Sequence, residues 1–335
     1  MKGTDQYMDT GPAPVRRLDT DSLAQLREAA RSLLATHGRA DSPELLRAAP
    51  ATAAALGEGI RHACRPHDTP DGVYLVRGLE VDEQALGTTP GHWSVAGEAA
   101  AEWDVILLLL ATVMGRPIAW EGQQDGRFVH NIVPSPGHER EQTGASSSVL
   151  LSPHTEDAFH PGRAHLLILG CLRNRDAVAT TAASVRRARL TTEDTALLTE
   201  PVLPILPDDS YEQARASTLP PPPMPILYAA EDGLTLRFDP AYTPLEQAPE
   251  DYRAAYGRLA DELARVSVAV SLSPGDVLVV DNDVAVHGRV PFQARYDGTD
   301  RWLKRASVRV PGRTTRPAAE EREHGYGQAA VVAPV

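Results

Sequence analysis

The chain from about residue 118 onward consists of short apolar runs separated by Gly, Pro, Asn and Asp, which limits it to folds made of many short strands. Runs of this length, rich in β-branched residues, are typical of β-strands. They read FVHNIVP, AHLLILGCL, VLPIL, LTLRF, SVAVSL, DVLVVDN and ASVRVPG. One helical pattern, from Ala248 to Val266, interrupts them. Many short strands behind a helical lead predict an antiparallel barrel or jelly roll buttressed by helices.

The first third of the chain carries helical patterns. The segment that begins at Asp19 has apolar residues at spacings of three and four, with Asp21 or Ser22 as the candidate cap and Gly38 as the stop signal. Further elements expected before residue 118 are one or two helices over 42–64, a strand over 72–79 and a helix over about 98–115.

No internal repeat divides the chain, so one large domain is expected. The proline-rich stretch from Ser217 to Pro225 is too short to separate domains and is expected to be a stiff surface loop. The expected divisions are a flexible arm over 1–17, a domain over 18–311 with a helical lead (18–115) and a jelly-roll core (about 118–311), and a frayed C-terminal tail over 312–335.

Composition narrows the classes of function. The 335 residues carry a net charge of -12 and no dense Lys/Arg run, so the electrostatic footprint of a nucleic-acid-binding protein is missing. The longest apolar run, Val105 to Gly115, is shorter than the ~20 residues that a membrane span needs. Cys64 and Cys171 do not make a disulfide framework, and the start lacks the apolar block of a signal peptide. We therefore expect a cytoplasmic protein that binds neither nucleic acid nor membrane.

The stretch LSPHTEDAFH places His154 and Glu156 two residues apart, so in an extended chain both side chains point the same way. Alone, the pair is weak evidence for a metal site, because such pairs arise by chance in many chains and an ordinary strand with two polar residues is the more common explanation. Far downstream, an apolar strand runs into His287, and a charged loop then delivers Arg301 and Arg305. Two histidines and one carboxylate form a facial triad, which suits Fe(II) and leaves coordination positions open. A nearby arginine could clamp a carboxylate with two hydrogen bonds.

Two kinds of zinc enzyme use similar residues, but this sequence does not contain the rest of either motif. Zinc deaminases pair His-x-Glu with Pro-Cys-x-x-Cys, but Cys64 and Cys171 lie far apart in the chain. The helical zinc motif His-Glu-x-x-His is also absent from the sequence.

Dispersed blocks between about Gly72 and Arg309 resemble the clavaminate synthase-like branch of Fe(II)/2-oxoglutarate oxygenases, most closely the free L-arginine hydroxylases of antibiotic biosynthesis. The blocks are LGTTPGHW, GQQDGR, HTEDAFHP, LRNRDAVATT, PDDS, LRFDP and DNDVAVHGRVPFQARYDGTDRWLKR. The resemblance implies a mainly β fold with flanking helices, a distorted double-stranded β-helix of the cupin-like jelly-roll type. It also implies that His154, Glu156 and His287 bind Fe(II), with 2-oxoglutarate and O2 as co-substrates.

The same resemblance assigns roles to further residues. Arg301 would bind the distal carboxylate of 2-oxoglutarate, and Thr180 would touch the same co-substrate, although Thr181 is one position away and could serve instead. Arg305 would hold the carboxylate of the substrate. Gln124 would lie near the amino-acid head of the substrate.

The implied reaction is hydroxylation of the β or γ carbon of a free L-amino acid, whose head group would also lie beside Glu156. Arginine hydroxylases of the family present two aspartates, two residues apart, to the guanidinium group. Here Asp239 has Ala241 in the second position. One carboxylate with a polar lid residue such as Ser210 suits a neutral ureido group better than it suits a guanidinium cation with five donors. The expected order of substrates is therefore citrulline first, then arginine, then lysine. The lid would comprise LPDDSY and the proline run after it.

Other outcomes stay open. The resemblance also covers desaturases and cyclases on the same class of substrate, and a catalytically silent jelly-roll binder could retain the triad. Halogenation is disfavoured because Glu156 fills the position that chloride would need, and a carrier-bound substrate would have no free carboxylate for Arg305. Several nearby residues are expected to be structural: Asp157, His160, His165, Trp120, Trp302 and Cys171.

Overall fold

A computed structural model describes residues 13–65, 70–95, 97–211 and 222–334 of the protein. Its strands are β1 Val15–Arg17, β2 Val73–Arg77, β3 Arg116–Trp120, β4 Val129–Ile132, β5 Leu151–His154, β6 Leu166–Arg173, β7 Thr180–Ser184, β8 Leu227–Ala230, β9 Gly233–Leu236, β10 Val268–Val270, β11 Val277–Asp281, β12 Ala285–Arg289, β13 Trp302–Arg309 and β14 Ala330–Val332. Its α-helices are α1 Thr20–His37, α2 Pro43–Ala54, α3 Glu58–Cys64, α4 Glu83–Leu86, α5 Ala101–Met114, α6 Thr192–Leu198 and α7 Glu250–Arg265.

Two sheets enclose the centre of the molecule. In the described part of the chain, the larger sheet has the strand order β1-β2-β11-β6-β13-β3-β14, with β4 also paired to β13. The smaller sheet has the order β10-β7-β12-β5, and β8 and β9 form a separate hairpin. Neighbouring strands are antiparallel except for β1 and β2. This arrangement is the distorted double-stranded β-helix that was expected.

Alternation along the strands divides the core into layers. In β11, Val277 and Val279 face the helices, whereas Leu278 and Val280 face the smaller sheet. Since successive side chains of a strand point to opposite faces, a strand buried on both sides reads as the continuous apolar run seen here. The layer between the sheets also takes Ala182 and other side chains from the smaller sheet.

Helices cover both outer faces. α1, α2, α3 and α5 pack on the larger sheet, and α7 packs with α6 and the hairpin on the smaller one. α1 is capped by Asp19, whose side chain accepts a hydrogen bond from the Ser22 backbone N–H at 2.7 Å, so the expectation of a cap at Asp21 or Ser22 is wrong. Gly38 ends the helix as expected. In the described residues, no helix is long and apolar enough to cross a membrane.

The two chain ends differ from expectation. Val15–Arg17 pairs in parallel with β2, so the described end of the predicted arm is a strand. The expectation of a frayed tail is wrong, because Ala330–Val332 pairs with β3 and both Glu320 and Tyr326 are buried. Short, weakly apolar segments such as this one give little periodic signal and are ordered by tertiary contacts.

The sequence predicts a strand and a proline-rich loop in the middle of the chain. The predicted strand VLPIL forms only an isolated bridge between Leu203 and Met224. Most of the predicted proline loop, and the part of the predicted lid that includes it, lie outside the described residues, which omit 212–221.

Leu278 tests the layer between the sheets, since its side chain is fully buried there. We expect Leu278→Ala to lower the free energy of unfolding by about 2–5 kcal/mol, because the cavity left behind adds to the lost transfer energy. Leu206→Ala is the matched control: Leu206 is 38% exposed, and its loss should change stability by about 0.5 kcal/mol or less. Denaturant unfolding of both variants checks this, and equal losses would contradict the assigned layer.

Candidate active site

Two histidines face each other across the pairing of β5 and β12. His287 lies directly opposite His154 in the antiparallel register, and the centroids of their rings are 4.4 Å apart. Glu156 follows β5 and brings its Oε2 to 3.3 Å from Nε2 of His287 and 3.7 Å from Nε2 of His154. One ligand atom from each residue lies within 4.8 Å of the others. The structure thus brings together the three residues that the sequence singled out.

The donor atoms of this cluster suit a metal ion. Nδ1 of His154 donates to the carbonyl of Ser152 at 2.8 Å, which orients the ring and leaves Nε2 facing Glu156. Nδ1 of His287 is buried with no hydrogen-bond partner among the described residues, and its Nε2 faces Glu156. Two imidazoles and one carboxylate converging in this way match the donor set of Fe(II) facial triads.

Electrostatics keep the carboxylate of Glu156 charged. Burial opposes its ionisation, but the charge of Arg305 and the hydrogen bonds from His154 and His287 outweigh burial and hold its pKa well below the ordinary value. Burial and the neighbouring charge of His154 lower the pKa of His287 to about 4. Burial opposes protonation of His154, but the hydrogen bond to Glu156 and the charges of Asp239 and Glu156 outweigh burial and raise its pKa to about 9, so this imidazole must release a proton before Nε2 can bind a metal. An ionised carboxylate and a neutral imidazole are the forms that bind a metal.

Asn282 fixes the backbone at Glu156. Its Oδ1 accepts from the N–H of Glu156 at 2.8 Å, and its Nδ2 donates to the carbonyls of Glu156 and Ala164, each at 3.0 Å. On the other side, Thr155 exchanges hydrogen bonds with the backbone of Phe238 at 2.7 and 3.1 Å. The carboxylate therefore stands on a segment that is held from two directions.

Alternation at the start of β13 directs Arg301, Leu303 and Arg305 to the interior of the barrel. Arg301 donates from Nη2 to Thr180 Oγ1 at 2.8 Å, and its Nε has no partner among the described residues. Burial lowers its pKa to about 10. Thr181 belongs to the opposite face of β7, so Thr180 is the threonine that contacts Arg301.

Arg305 is surrounded by polar groups. It forms an ion pair with Oε1 of Glu156. Its Nη2 donates to Nδ1 of His130 at 2.9 Å and to Oε1 of Gln123 at 3.4 Å. Burial and the charge of Arg305 lower the pKa of His130 to about 3, so its imidazole is neutral and can accept from the guanidinium. His130 is the direct neighbour of Arg305 across β4 and β13.

The remaining predicted residues occupy different positions. Gln124 uses its carboxamide on the backbone of Asn131, with two hydrogen bonds of 2.9 Å, and the adjacent Gln123 is the one that contacts Arg305. Ser210 lines the cavity and accepts from Gln123 Nε2 at 2.9 Å. Asp239 is buried and is not among the described residues that line the cavity. Burial raises its pKa to about 6, although the charge of His154 opposes the shift.

The site contains a cavity of about 530 Å³, which is lined by the triad and by Thr180, Arg301 and Arg305. Sequence reasoning missed Arg289, which also lines it and donates to the backbone carbonyls of Ser146 and Val149. Burial and the nearby charge of Arg301 lower the pKa of Arg289 to about 9. Two buried guanidinium groups so close together favour an anionic ligand such as a dicarboxylate.

Other lining residues to which the sequence analysis gave no role include Gln123, His130 and Gln328, while Asp208 lies within the predicted lid. Only the alternation within FVHNI could have marked His130, and only once β4 is paired with β13. Asp157 behaves as expected: it accepts from Trp120 Nε1 at 2.7 Å and from Tyr211 Oη at 2.5 Å, away from the triad.

Known proteins are similar to this chain in sequence. Residues 220–307 match the family model of the taurine catabolism dioxygenase TauD, TfdA family. The chain is 36% identical over 330 residues to enduracididine beta-hydroxylase of Streptomyces hygroscopicus, covering 90% of this chain and 96% of that protein.

Solved structures are similar to this chain in fold as well as in sequence. Non-heme iron oxygenase OrfP in complex with Fe, succinate and (3R,4R)-dihydroxy-L-Arg is 38% identical, with a TM-score of 0.81 over 91% of this chain and 95% of that one. An asparagine oxygenase in complex with Fe(II), 2S,3S-3-hydroxyasparagine and succinate is 33% identical, with a TM-score of 0.80 over 91% and 97%.

The chain belongs to the TauD/TfdA family of Fe(II)/2-oxoglutarate oxygenases. It is an Fe(II)-dependent dioxygenase that takes 2-oxoglutarate and O2 as co-substrates.

Asn282 allows the support of Glu156 to be tested. We expect Asn282→Ala to weaken Fe(II) binding about 10- to 100-fold, as losing a partner that orients a ligand does elsewhere. Asn174→Ala is the matched control, because Asn174 also makes three buried hydrogen bonds, to Val178 and Leu272, away from the triad. Both variants should lose stability, but only Asn282→Ala should lose metal in anaerobic titrations. Equal affinities in the two variants would contradict this role of Asn282.

Proposed function

We propose that the enzyme hydroxylates the β or γ carbon of a free L-amino acid with a long polar side chain, of the citrulline or arginine type, in specialised-metabolite biosynthesis. The observation that carries the proposal is one cavity lined by a His-Glu-His cluster together with the buried Arg301 and the partly buried Arg305, which lie on the same face of one chain segment. The names of the relatives support it, since enduracididine beta-hydroxylase and L-ornithine/L-arginine 3-hydroxylase act on amino acids.

In this proposal His154, Glu156 and His287 hold Fe(II), and Arg301 with Thr180 binds the distal carboxylate of 2-oxoglutarate. The bound iron supplies the oxidising chemistry: one atom of O2 enters the C–H bond as hydroxyl, and the other enters succinate as 2-oxoglutarate loses CO2. Arg301 suits its role because it is buried and has hydrogen-bonding capacity left, which a carboxylate would satisfy.

Arg305 is proposed to bind the carboxylate of the substrate. His130 and Gln123 hold the guanidinium from one side while Glu156 takes the other. An incoming carboxylate replaces Glu156 as the partner of Arg305 and leaves Glu156 to the metal. Gln124 and Glu156 then border the amino-acid head.

For the side chain of the substrate we propose Asp239 and Ser210. Ser210 already lines the cavity, and Asp239 lies close enough to His154 for its charge to affect the pKa of that histidine. The raised pKa of Asp239 shows that its surroundings disfavour an isolated charge. A neutral ureido group offers both donors and an acceptor, so it satisfies such a carboxyl at lower desolvation cost than a guanidinium.

A cytoplasmic location is also part of the proposal. Its support is that Cys64 and Cys171 are free and buried, as is usual for proteins of reducing compartments. The partner proposed for the cavity is a small-molecule amino acid, and the net negative charge argues against nucleic acid.

The central test is aerobic incubation with Fe(II), 2-oxoglutarate and single amino acids, with product masses and succinate as readouts. We expect succinate release stimulated by substrate and a product heavier by one oxygen. His154→Ala, Glu156→Ala and His287→Ala should each abolish turnover, because two donors hold iron poorly. A product lacking two hydrogens would identify a desaturase or cyclase instead, and full activity without any one ligand would refute the metal assignment.

The two arginines should give different phenotypes. We expect Arg301→Ala to raise the KM for 2-oxoglutarate, and Arg305→Ala to raise the KM for the amino acid. Each loses a charge-assisted interaction worth roughly 1.5–3 kcal/mol, about ten- to a hundredfold in affinity. Arg295→Ala, at a half-exposed arginine paired with Asp176, is the control and should leave both KM values unchanged. Swapped phenotypes would mean that the two roles are reversed.

Competition among citrulline, arginine, lysine, asparagine and leucine tests the side-chain pocket. We expect the preference to run from citrulline to arginine to lysine, since a substrate that leaves a buried polar group unpaired is strongly rejected. Asp239→Ala should flatten this order, whereas Asp239→Asn keeps hydrogen-bonding capacity and should keep citrulline ahead. Preference for leucine, or an unchanged order in Asp239→Ala, would show that other residues recognise the side chain.

A further inference from the structure

The C-terminal segment 313–332 packs against the loop 155–164 that carries Glu156. Arg316 donates to the carbonyls of Arg163 and Ala164 at 2.8 and 2.7 Å. Glu320 accepts from Arg163 at 2.9 Å, and both side chains are almost completely buried. These contacts come from a part of the chain that the sequence suggested was frayed.

The most direct contact is between His160 and the turn 324–328. Nδ1 of His160 accepts from the N–H of Gly162 at 2.7 Å, so Nε2 carries the proton and donates to the carbonyl of Gln328 at 2.9 Å. Gly325 lies against the face of the imidazole with a φ of 51°. A Cβ at this position would lie 2.1 Å from Cδ2 of His160, so no other residue fits without displacing the ring.

His160 in turn belongs to the structure around Glu156. The ring of His160 packs on Trp120, with ring centroids 4.4 Å apart, and the backbone N–H of His160 donates to the carbonyl of Asp157 at 2.9 Å. Trp120 also donates to the carboxylate of Asp157. Asp157 directly follows Glu156 and has a φ of 53°. A displaced His160 must therefore shift the turn that begins next to Glu156.

We propose that the turn 324–328 is a positioning element of the active site, which holds Glu156 in place through His160. The C-terminal segment thus contributes to metal binding as well as to packing. This inference rests on the proposed role of Glu156 as a metal ligand. Gln328 extends the same connection, because its backbone holds His160 while the residue also lines the cavity.

Gly325 and Gly327 provide a matched pair for the test. Both have positive φ, 51° and 75°, so alanine costs backbone strain at each. A Cβ on Gly327 would meet nothing within 4 Å, whereas one on Gly325 would strike His160. We expect Gly325→Ala to weaken equilibrium binding of Co(II), used as the probe metal, about 10- to 100-fold, and Gly327→Ala to bind as wild type does. Thermal unfolding of both variants records the shared cost to stability.

A double-mutant cycle with His160→Ala separates positioning from general damage. If Gly325 acts through His160, Gly325→Ala should cause little further loss of Co(II) affinity once His160 is alanine. Equal affinity of Gly325→Ala and Gly327→Ala, or an undiminished effect in the His160→Ala background, would overturn the proposal. Absence of Co(II) binding by the wild-type protein would instead refute the proposed metal site.

If Gly325→Ala does not fold, His160→Gln and His160→Ala carry the test. Glutamine can place a donor near the position of Nε2 and keep the bond to Gln328, whereas alanine cannot. Affinity retained by His160→Gln and lost by His160→Ala supports the positioning role. Wild-type affinity in both variants overturns it.

Discussion

The register of β12 on β5 is the constraint on which the rest of the site depends. It places His287 opposite His154, and a slip of one residue on either strand would turn that histidine to the other face of the sheet. Gly288 permits the close approach at the irregularity that follows His287, because a Cβ there would lie 2.5 Å from the carbonyl of Leu151. β5 is the last strand of its sheet in the described residues, so its position relies on contacts from outside the sheet.

Those contacts come from distant parts of the chain. Asn282 holds the backbone of Glu156, and the neighbouring Asp283 accepts from Arg316 and Thr315 of the C-terminal segment. Asp283 is fully buried, and although burial opposes its ionisation, the nearby arginines keep its pKa below the ordinary value. A network of buried charges is costly unless every member is paired. Here it connects the last strands of the barrel, the Glu156 loop and the tail into one support.

The cavity differs from this network of paired charges, because two of its arginines have no carboxylate partner among the described residues. Arg289 and Arg301 are buried close together, and burial lowers the pKa of both. Arg301 retains an Nε without a partner in the described residues. This concentration of buried positive charge suits an anionic ligand, which supports our proposal that the dicarboxylate binds on this side. Arg305 differs, because Glu156 and His130 already accept hydrogen bonds from its guanidinium group; under our proposal a substrate carboxylate takes the place of Glu156.

Sequence alone determined the features that depend on local periodicity. The apolar runs of β6 and β11, the spacing of His154 and Glu156, and the common face of Arg301 and Arg305 follow from the alternation of side chains along a strand. Tertiary structure decided what depends on pairing between distant segments. It placed Gln123 against Arg305, whereas Gln124, which also lines the cavity, turns its carboxamide back onto the backbone of Asn131 and has a φ of 43°.

Pairing between distant segments also decided the positions of other residues that the sequence left open. Thr180 and Thr181 are indistinguishable in the sequence, and only the pairing of β7 with β12 and β10 gives each a face. His130 gained its place from the register of β4 on β13. The C-terminal segment has too little apolar periodicity to predict its order, which comes from buried ion pairs and from the fit of Gly325 against His160. Local periodicity depends only on residues that are neighbours in the sequence. Strand register, the burial of charged groups and the close approach of two backbone segments depend on residues that are distant in the sequence, so they are set only when the chain folds.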